Sequence, residues 1–232
     1  MAFYCGLKIQ FMRMSPRVRS ILMFILDVAV NAVVIIGLVI LLRIFVISPF
    51  QVHGPSMCDN FNNFEGTCIR GDGEFILLYK FGYENILGWQ VGTPERGDVV
   101  VFEPPEAPDE FYIKRVIGLP GETVEFKEEY VYIVNEENPD GFKLDESGYL
   151  NEDNWGFTDL PYESETSFTV PEGSYFLMGD NRRASSDARR CFSDQGCDGT
   201  NTPYVTLDKI TGRAWLVMWP LNRMRVVPEP AF

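Results

Sequence analysis

Ser56 lies in the string Val52-His53-Gly54-Pro55-Ser56-Met57, where a hydroxyl in a Gly/Pro turn can serve as a nucleophile or simply close the turn. A serine nucleophile needs a partner that takes its proton, usually a histidine backed by a carboxylate. His53 is the only histidine in the chain. Three residues from Ser56 along an extended segment, it falls on the opposite face and is too close in sequence to swing round. A neutral lysine can act instead, provided burial draws its pKa from about 10.4 toward 7–8, at a cost of about 4 kcal/mol. Lys114 suits that role within Phe111-Tyr112-Ile113-Lys114-Arg115-Val116-Ile117, a run of aromatic and β-branched neighbours, although a solvated strand lysine fits the same pattern. A third string, Gly179-Asp180-Asn181-Arg182-Arg183-Ala184-Ser185-Ser186-Asp187-Ala188-Arg189, follows the apolar Tyr175-Phe176-Leu177-Met178 directly. Polar residues so concentrated suit a hydrogen-bonded site, and suit a surface loop as well.

The elements that must position these residues begin with an apolar run of 27 residues, 21–47, interrupted only by Asp27, Asn31 and Arg43. As a helix it reaches about 40 Å, enough to cross a hydrocarbon core of about 30 Å with tilt. A cleaved signal peptide has an apolar core of only about 7–15 residues. Lys8, Arg13, Arg17 and Arg19 precede the run, which places residues 1–20 in the cytoplasm and residues 48–232 outside. Arg43 is near enough to the far end to snorkel, and Asp27 and Asn31, four residues apart, share one helix face.

The chain carries 20 basic and 33 acidic residues; without the five basic and one acidic of residues 1–47, the outer part keeps 15 against 32, a net charge of −17. That balance excludes nucleic acid as a partner. Cys5 stands alone before the apolar run, whereas Cys58, Cys68, Cys191 and Cys197 follow it. Four outer thiols permit two disulfides, and proximity favours Cys58–Cys68 and Cys191–Cys197 among three connectivities. Neither pair has CxxC spacing and His53 is the only imidazole, so no metal site is expected. Short strands are predicted at 50–53, 74–81, 98–102, 111–117, 123–126, 130–134, 174–178 and 211–219, punctuated by Gly and Pro. Residues 136–169 turn acidic and polar and read as a small inserted subdomain. The expected fold class is mainly β, with one N-terminal transmembrane helix, 21–47.

Taken together and in this order, the three strings resemble those of the bacterial type I signal peptidases, serine proteases with a Ser/Lys dyad. Gly54-x-Ser56-Met57 is similar to the family's nucleophile motif, Lys114-Arg115-Val116-Ile117-Gly118-Leu119-Pro120-Gly121-Glu122 to its lysine motif, and the stretch from Gly179 through Ser185, Asp187 and Arg189 to its third; Arg96-Gly97-Asp98-Val99-Val100 matches a further segment. The resemblance implies a signal-peptidase-type catalytic domain in which Ser56 is the nucleophile, Lys114 its base and Ser185 the hydroxyl that orients the lysine amine. Asp180, Arg115, Asp187 and Arg189 then brace the site by ion pairs; the Ser56 backbone N–H is one donor to the oxyanion, and the second stays open, since Gly54, whose own N–H could substitute, stands where some family members carry a hydroxyl. Met57, Ile113 and Val116 are expected to wall the substrate pockets, and core packing explains them equally well. No cofactor is implied; the implied partners are signal peptides of exported preproteins with Ala-x-Ala sites, membrane lipid and the protein translocation channel. One departure is Cys58-Asp59-Asn60, where relatives commonly carry x-Pro-Thr, so a Cys58–Cys68 disulfide would stiffen this turn.

Overall fold

Ser15 and Pro16 open an α-helix in the structure, a computed structural model that describes residues 15–81, 83, 92–107, 109–158, 160, 166–193, 196–198 and 201–228. Helix α1 spans Pro16–Phe45, with proline at the first helical position, where its missing N–H costs nothing, and the Ser15 carbonyl accepting Arg19 N–H at 3.1 Å. It starts five residues before the expected 21–47 and ends two earlier, because Lys80 N–H donates to Val46 O and Ile47 already pairs with Tyr79. Asn31 donates to the Asp27 carbonyl at 2.8 Å, so its amide is satisfied within the helix. Among the described residues, α1 is the one helix long and apolar enough to cross a membrane.

The chain divides into two compact units, Met1–Ile44 and Phe45–Phe232. The second contains strands β1 (Ile47–His53), β2 (Asn63–Phe64), β3 (Thr67–Cys68), β4 (Asp72–Tyr79), β5 (Val99–Phe102), β6 (Tyr112–Gly118), β7 (Thr123–Lys127) and β8 (Tyr130–Val134). It continues with β9 (Phe142–Lys143), β10 (Ser167–Thr169), β11 (Ser174–Met178), β12 (Tyr204–Thr206), β13 (Ile210–Trp219) and β14 (Arg225–Val226). An eight-stranded antiparallel sheet runs β1-β4-β13-β5-β6-β11-β12, with β14 added to β13. Four further strands form the sheet β10-β7-β8-β9, and β2 pairs with β3.

The middle of the large sheet is covered on both faces, as its unbroken runs of Val, Ile and Phe require. Along β5, Val100 and Phe102 enter one apolar cluster while Val99 and Val101 enter another. This double burial carries β6, and with it Lys114, out of water. Among the described residues two strand edges remain open near Lys114: β1 ends the sheet, and β11 pairs with β6 only over residues 115–118, stopping one residue short of Lys114. The acidic segment does not stand apart from this fold. Strand β9 pairs with β8 and β10 with β7, so the smaller sheet begins at Thr123, before the expected insertion at 136, and Leu144, Tyr149 and Leu150 belong to the main core.

Phe176 on β11 joins the two sheets, its ring 6.1 Å from that of Phe126 and 5.1 Å from that of Phe168. Removing this fully buried ring leaves a cavity that neither sheet can collapse into. Phe176→Ala is therefore expected to destabilise the β-rich unit by about 3–5 kcal/mol, read from denaturant unfolding, whereas a loss under about 1 kcal/mol would show that the sheets do not depend on this contact.

Candidate active site

Strand β1 ends at His53, and Gly54 turns the chain with φ +78°, a left-handed conformation that glycine adopts without strain. Ser56 and Met57 follow in a turn closed by Cys58 N–H to Pro55 O at 3.1 Å and Phe61 N–H to Met57 O at 2.7 Å. Asn181 fastens this turn from the third motif, donating its backbone N–H to Ser56 O and its side-chain amide to Pro55 O, both at 3.0 Å. Cys58 is joined to Cys68 with Cα atoms 5.7 Å apart, and Cys191 to Cys197 at 5.1 Å. Gly179 permits the close approach behind the turn: a side chain there would stand 2.6 Å from Ser56 O and 2.2 Å from Ser185 Oγ.

Lys114, 4% exposed, extends from β6 and donates to Ser56 Oγ at 2.9 Å and to its neighbour's carbonyl, Ile113 O, at 2.9 Å. Burial lowers the amine's pKa to about 8, with Asp187 and Asp180 opposing the shift. Neither carboxylate is left bare. Asp180 receives Arg115 Nε at 2.7 Å and Nη2 at 2.6 Å, a bidentate pair, while Arg115 Nη1 reaches Gly97 O at 2.7 Å. Asp187 accepts Gly179 N–H at 2.9 Å and Arg189 Nε and Nη2 at 2.9 Å each. Burial alone would raise the Asp187 carboxyl; the Arg189 guanidinium and these hydrogen bonds outweigh it and hold it below its usual value. Burial likewise works against Arg115, and Asp180 more than reverses it, so its pKa stands above the ordinary arginine value.

The expected residues fall into three groups. Ser56, Lys114, Arg115, Asp180, Asp187 and Arg189 come together as one hydrogen-bonded constellation. Ser185 adjoins it without the expected bond: the amine's hydrogen bonds go to Ser56 and Ile113, while Ser185 Oγ, buried beside the Asp187 carboxylate that it helps keep ionised, has no hydrogen-bond partner of ordinary geometry. Of the expected pocket walls, Ile113 lines a cleft of about 680 Å³ running past Ser56 and Lys114, together with Phe50, Val52, Ile76, Val101 and Phe111. Met57 and Val116 are packed into the interior instead, 1% and 0% exposed, and Met57 Sδ accepts Asp180 N–H at 3.4 Å. His53 turns to the exposed Asp72, Nδ1 to Oδ1 3.3 Å, and makes no bond to Ser56. No cluster of three or more His, Cys, Asp or Glu placed to hold a metal occurs among the described residues.

Arg182, Asn60 and Asp59 carry no site role in the sequence reading, and Glu146 is not singled out there at all. Arg182 is buried on Glu146 and on Thr158 Oγ1, the latter at 2.8 Å, and Asn60 Nδ2 bridges Asp180 Oδ2 and Tyr149 O at 2.7 Å each. Asp59 accepts Asn151 N–H at 2.9 Å and Asn154 Nδ2 at 2.7 Å, and burial raises its pKa to about 6. A second cleft, of about 550 Å³ beside Asp59, Asn60, Arg223 and Arg225, touches neither Ser56 nor Lys114. Chemically, the arrangement sets a hydroxyl at the edge of an apolar cleft, hydrogen-bonded to an amine whose pKa burial draws down to about 8.

Residues 25–219 match the family described as signal peptidase, peptidase S26. Signal peptidase I of Pseudomonas aeruginosa is 34% identical over 218 residues, covering 84% of this chain and 73% of that protein. Signal peptidase I S of Bacillus subtilis is 31% identical and covers 87% and 92%; signal peptidase IB of Staphylococcus aureus is 29% identical and covers 89% and 94%. A crystal structure of a signal peptidase I from Enterococcus faecalis is 32% identical, covering 53% of this chain and 97% of that one, with a TM-score of 0.37.

The lowered lysine value has a direct consequence for pH. Between about 8 and 10.5 the unfolded chain holds a proton on Lys114 that the folded chain has released, so stability gains from this group as pH rises through that window. Below about 8 both states are protonated and the cost of burying the cation is felt in full. Amine modification or NMR titration of Lys114 is expected to give a midpoint near 8; a midpoint near 10.5 would mean that water reaches the amine.

Proposed function

The chain belongs to the signal peptidase family, peptidase S26, and is a serine endopeptidase that cleaves signal peptides from preproteins; on that premise we propose that Ser56 and Lys114 form its Ser/Lys catalytic dyad. The observation that carries this reading is the 2.9 Å hydrogen bond between Ser56 Oγ and a buried amine of pKa about 8. At pH 7 about a tenth of such an amine is neutral, far more than the fraction for a solvated lysine. Neutral Nζ removes the Ser56 proton as Oγ attacks the scissile carbonyl carbon, then gives that proton to the departing amine as the C–N bond breaks. The signal-peptide side is left as an ester on Ser56. Water enters, loses a proton to Nζ and attacks the ester carbonyl; Oγ recovers the proton as it leaves, and the carboxylate product departs.

The oxyanion of each tetrahedral intermediate requires donors. Ser56 N–H, which makes no hydrogen bond among the described residues, is one, and Gly54 N–H is the second in this reading. Asp180 with Arg115, and Asp187 with Arg189, keep the turn and the lysine in register. Substrate binds as an added strand between the outer edge of β1 and the part of β6 not covered by β11, with main-chain hydrogen bonds to both. Shallow apolar pockets around Ile113 then favour small side chains before the cut, in the manner of Ala-x-Ala.

Helix α1 serves as a single-pass anchor in the cytoplasmic membrane, surrounded by lipid, with the basic N-terminus inside and the β-rich unit outside. Preproteins emerging from the protein translocation channel are the substrates in that setting.

Detergent-solubilised full-length chain, incubated with a precursor bearing an Ala-x-Ala site, is expected to cut after the second alanine as mapped by mass spectrometry. Ser56→Ala and Lys114→Ala should each lower kcat by about four orders of magnitude. Undiminished cleavage by either folded variant would remove the dyad.

A further inference from the structure

Residues 144–158, within the acidic segment, contact the turn that follows Ser56, the lysine strand at Arg115 and the third motif at Arg182, and line no part of the substrate cleft. On the nucleophile turn, Asp59 accepts Asn151 N–H and Asn154 Nδ2 at 2.9 and 2.7 Å, and Asn60 Nδ2 donates to Tyr149 O at 2.7 Å. On the lysine strand, the Arg115 guanidinium lies over the Tyr149 ring at 4.2 Å. On the third motif, Arg182 is held by Glu146 and Thr158, and Tyr149 OH secures Glu146 at 2.7 Å. Glu146 and Arg182 are 1% and 3% exposed, and the reaction uses neither. A buried ion pair of this kind contributes little net stability, because desolvating both charges offsets most of their attraction. Its effect here is geometric: it ties the loop that holds Asp180 and Asp187 to the same short segment that grips residues 59 and 60.

We propose that residues 144–158 are a positioning element for the active site, setting the distance between Ser56 and Lys114 by holding the turn three residues past the serine and the Arg182 loop in one frame. The inference rests on the Ser56/Lys114 reading. The segment acts through Asp59, Asn60 and Arg182 and does not touch substrate, since none of these lines the cleft beside Ser56. A displacement of the serine of about 1 Å costs up to about a hundredfold in rate while leaving substrate binding largely intact.

The Asp59–Asn154 contact allows a donor–acceptor exchange. In Asn154→Asp, two carboxylates face each other in a buried setting. Adding Asp59→Asn restores one donor and one acceptor: the new amide accepts Asn151 N–H and donates to the new carboxylate. With the full-length chain and the Ala-x-Ala precursor, Asn154→Asp is expected to lower kcat about tenfold with KM within about twofold, and Asp59→Asn/Asn154→Asp to return kcat to within about threefold of wild type. A folded Asn154→Asp protein with wild-type kcat, or a loss that the second change does not restore, overturns the proposal. If Asn154→Asp does not accumulate as folded protein by near-UV circular dichroism, Asn154→Ala is read in the same way, and wild-type kcat in that variant also overturns it. Ser56→Ala runs alongside: cleavage that survives it defeats the dyad reading, whereas a dead Ser56→Ala beside fully active position-154 variants defeats the positioning role alone.

Discussion

The amine of Lys114 lowers its proton affinity only because water is kept from it, and most of the β-rich unit can be understood as the means of doing so. A shift from 10.5 to about 8 corresponds to about 3 kcal/mol borne by the folded chain at neutral pH. Two carboxylates, Asp180 and Asp187, oppose that shift, and bare they would hold the lysine protonated. Each is instead matched to a guanidinium: Asp180 to Arg115 on the lysine's own strand, Asp187 to Arg189 in the 3-10 turn Ala188–Arg190 that it caps. The arginines thus serve the lysine indirectly, by absorbing negative charge that the fold needs for hydrogen bonding.

The same carboxylates are mechanical connectors. Asp187 accepts Gly179 N–H, and Gly179 lacks a side chain so that the Ser56 carbonyl and the Ser185 hydroxyl can press against it. Asp180 gathers Arg115 and Asn60, linking the lysine strand to the turn that carries Ser56. A change that leaves one charge of such a pair unmatched in the interior costs far more than the pair contributes. Specific alignment, more than raw stability, is what these buried pairs provide.

Much of this architecture is legible in the order of residues. Strands β4, β5, β6, β7, β8, β11 and β13 carry enough Val, Ile, Phe and Tyr to declare themselves, and the 27-residue apolar run declares a helix. Strands β2, β3, β9 and β14 are two residues long, β10 and β12 three, too short for a period of two to show. Met57 and Val116 read equally as pocket walls and as core, because an apolar residue beside a reactive one looks alike in sequence in either place, and their burial decides for the core. Arg182 stood in the third motif, yet its partner Glu146 lies 36 residues away in a stretch whose acidity reads as solvated surface.

Residue types and local spacing determined the longer strands, the helix, the acidic balance of residues 48–232 and the chemistry available to Ser56 and Lys114, since each is read from residue types and near neighbours. Only the tertiary structure decided that Lys114 is desolvated, that its amine bonds Ser56 and Ile113 with Ser185 left aside, and that residues 144–158 grip the turn that follows Ser56. Those outcomes depend on burial and on contacts between groups 36 to 120 positions apart. Burial and long-range pairing are properties of how both sheets close over the site, and no local pattern encodes them.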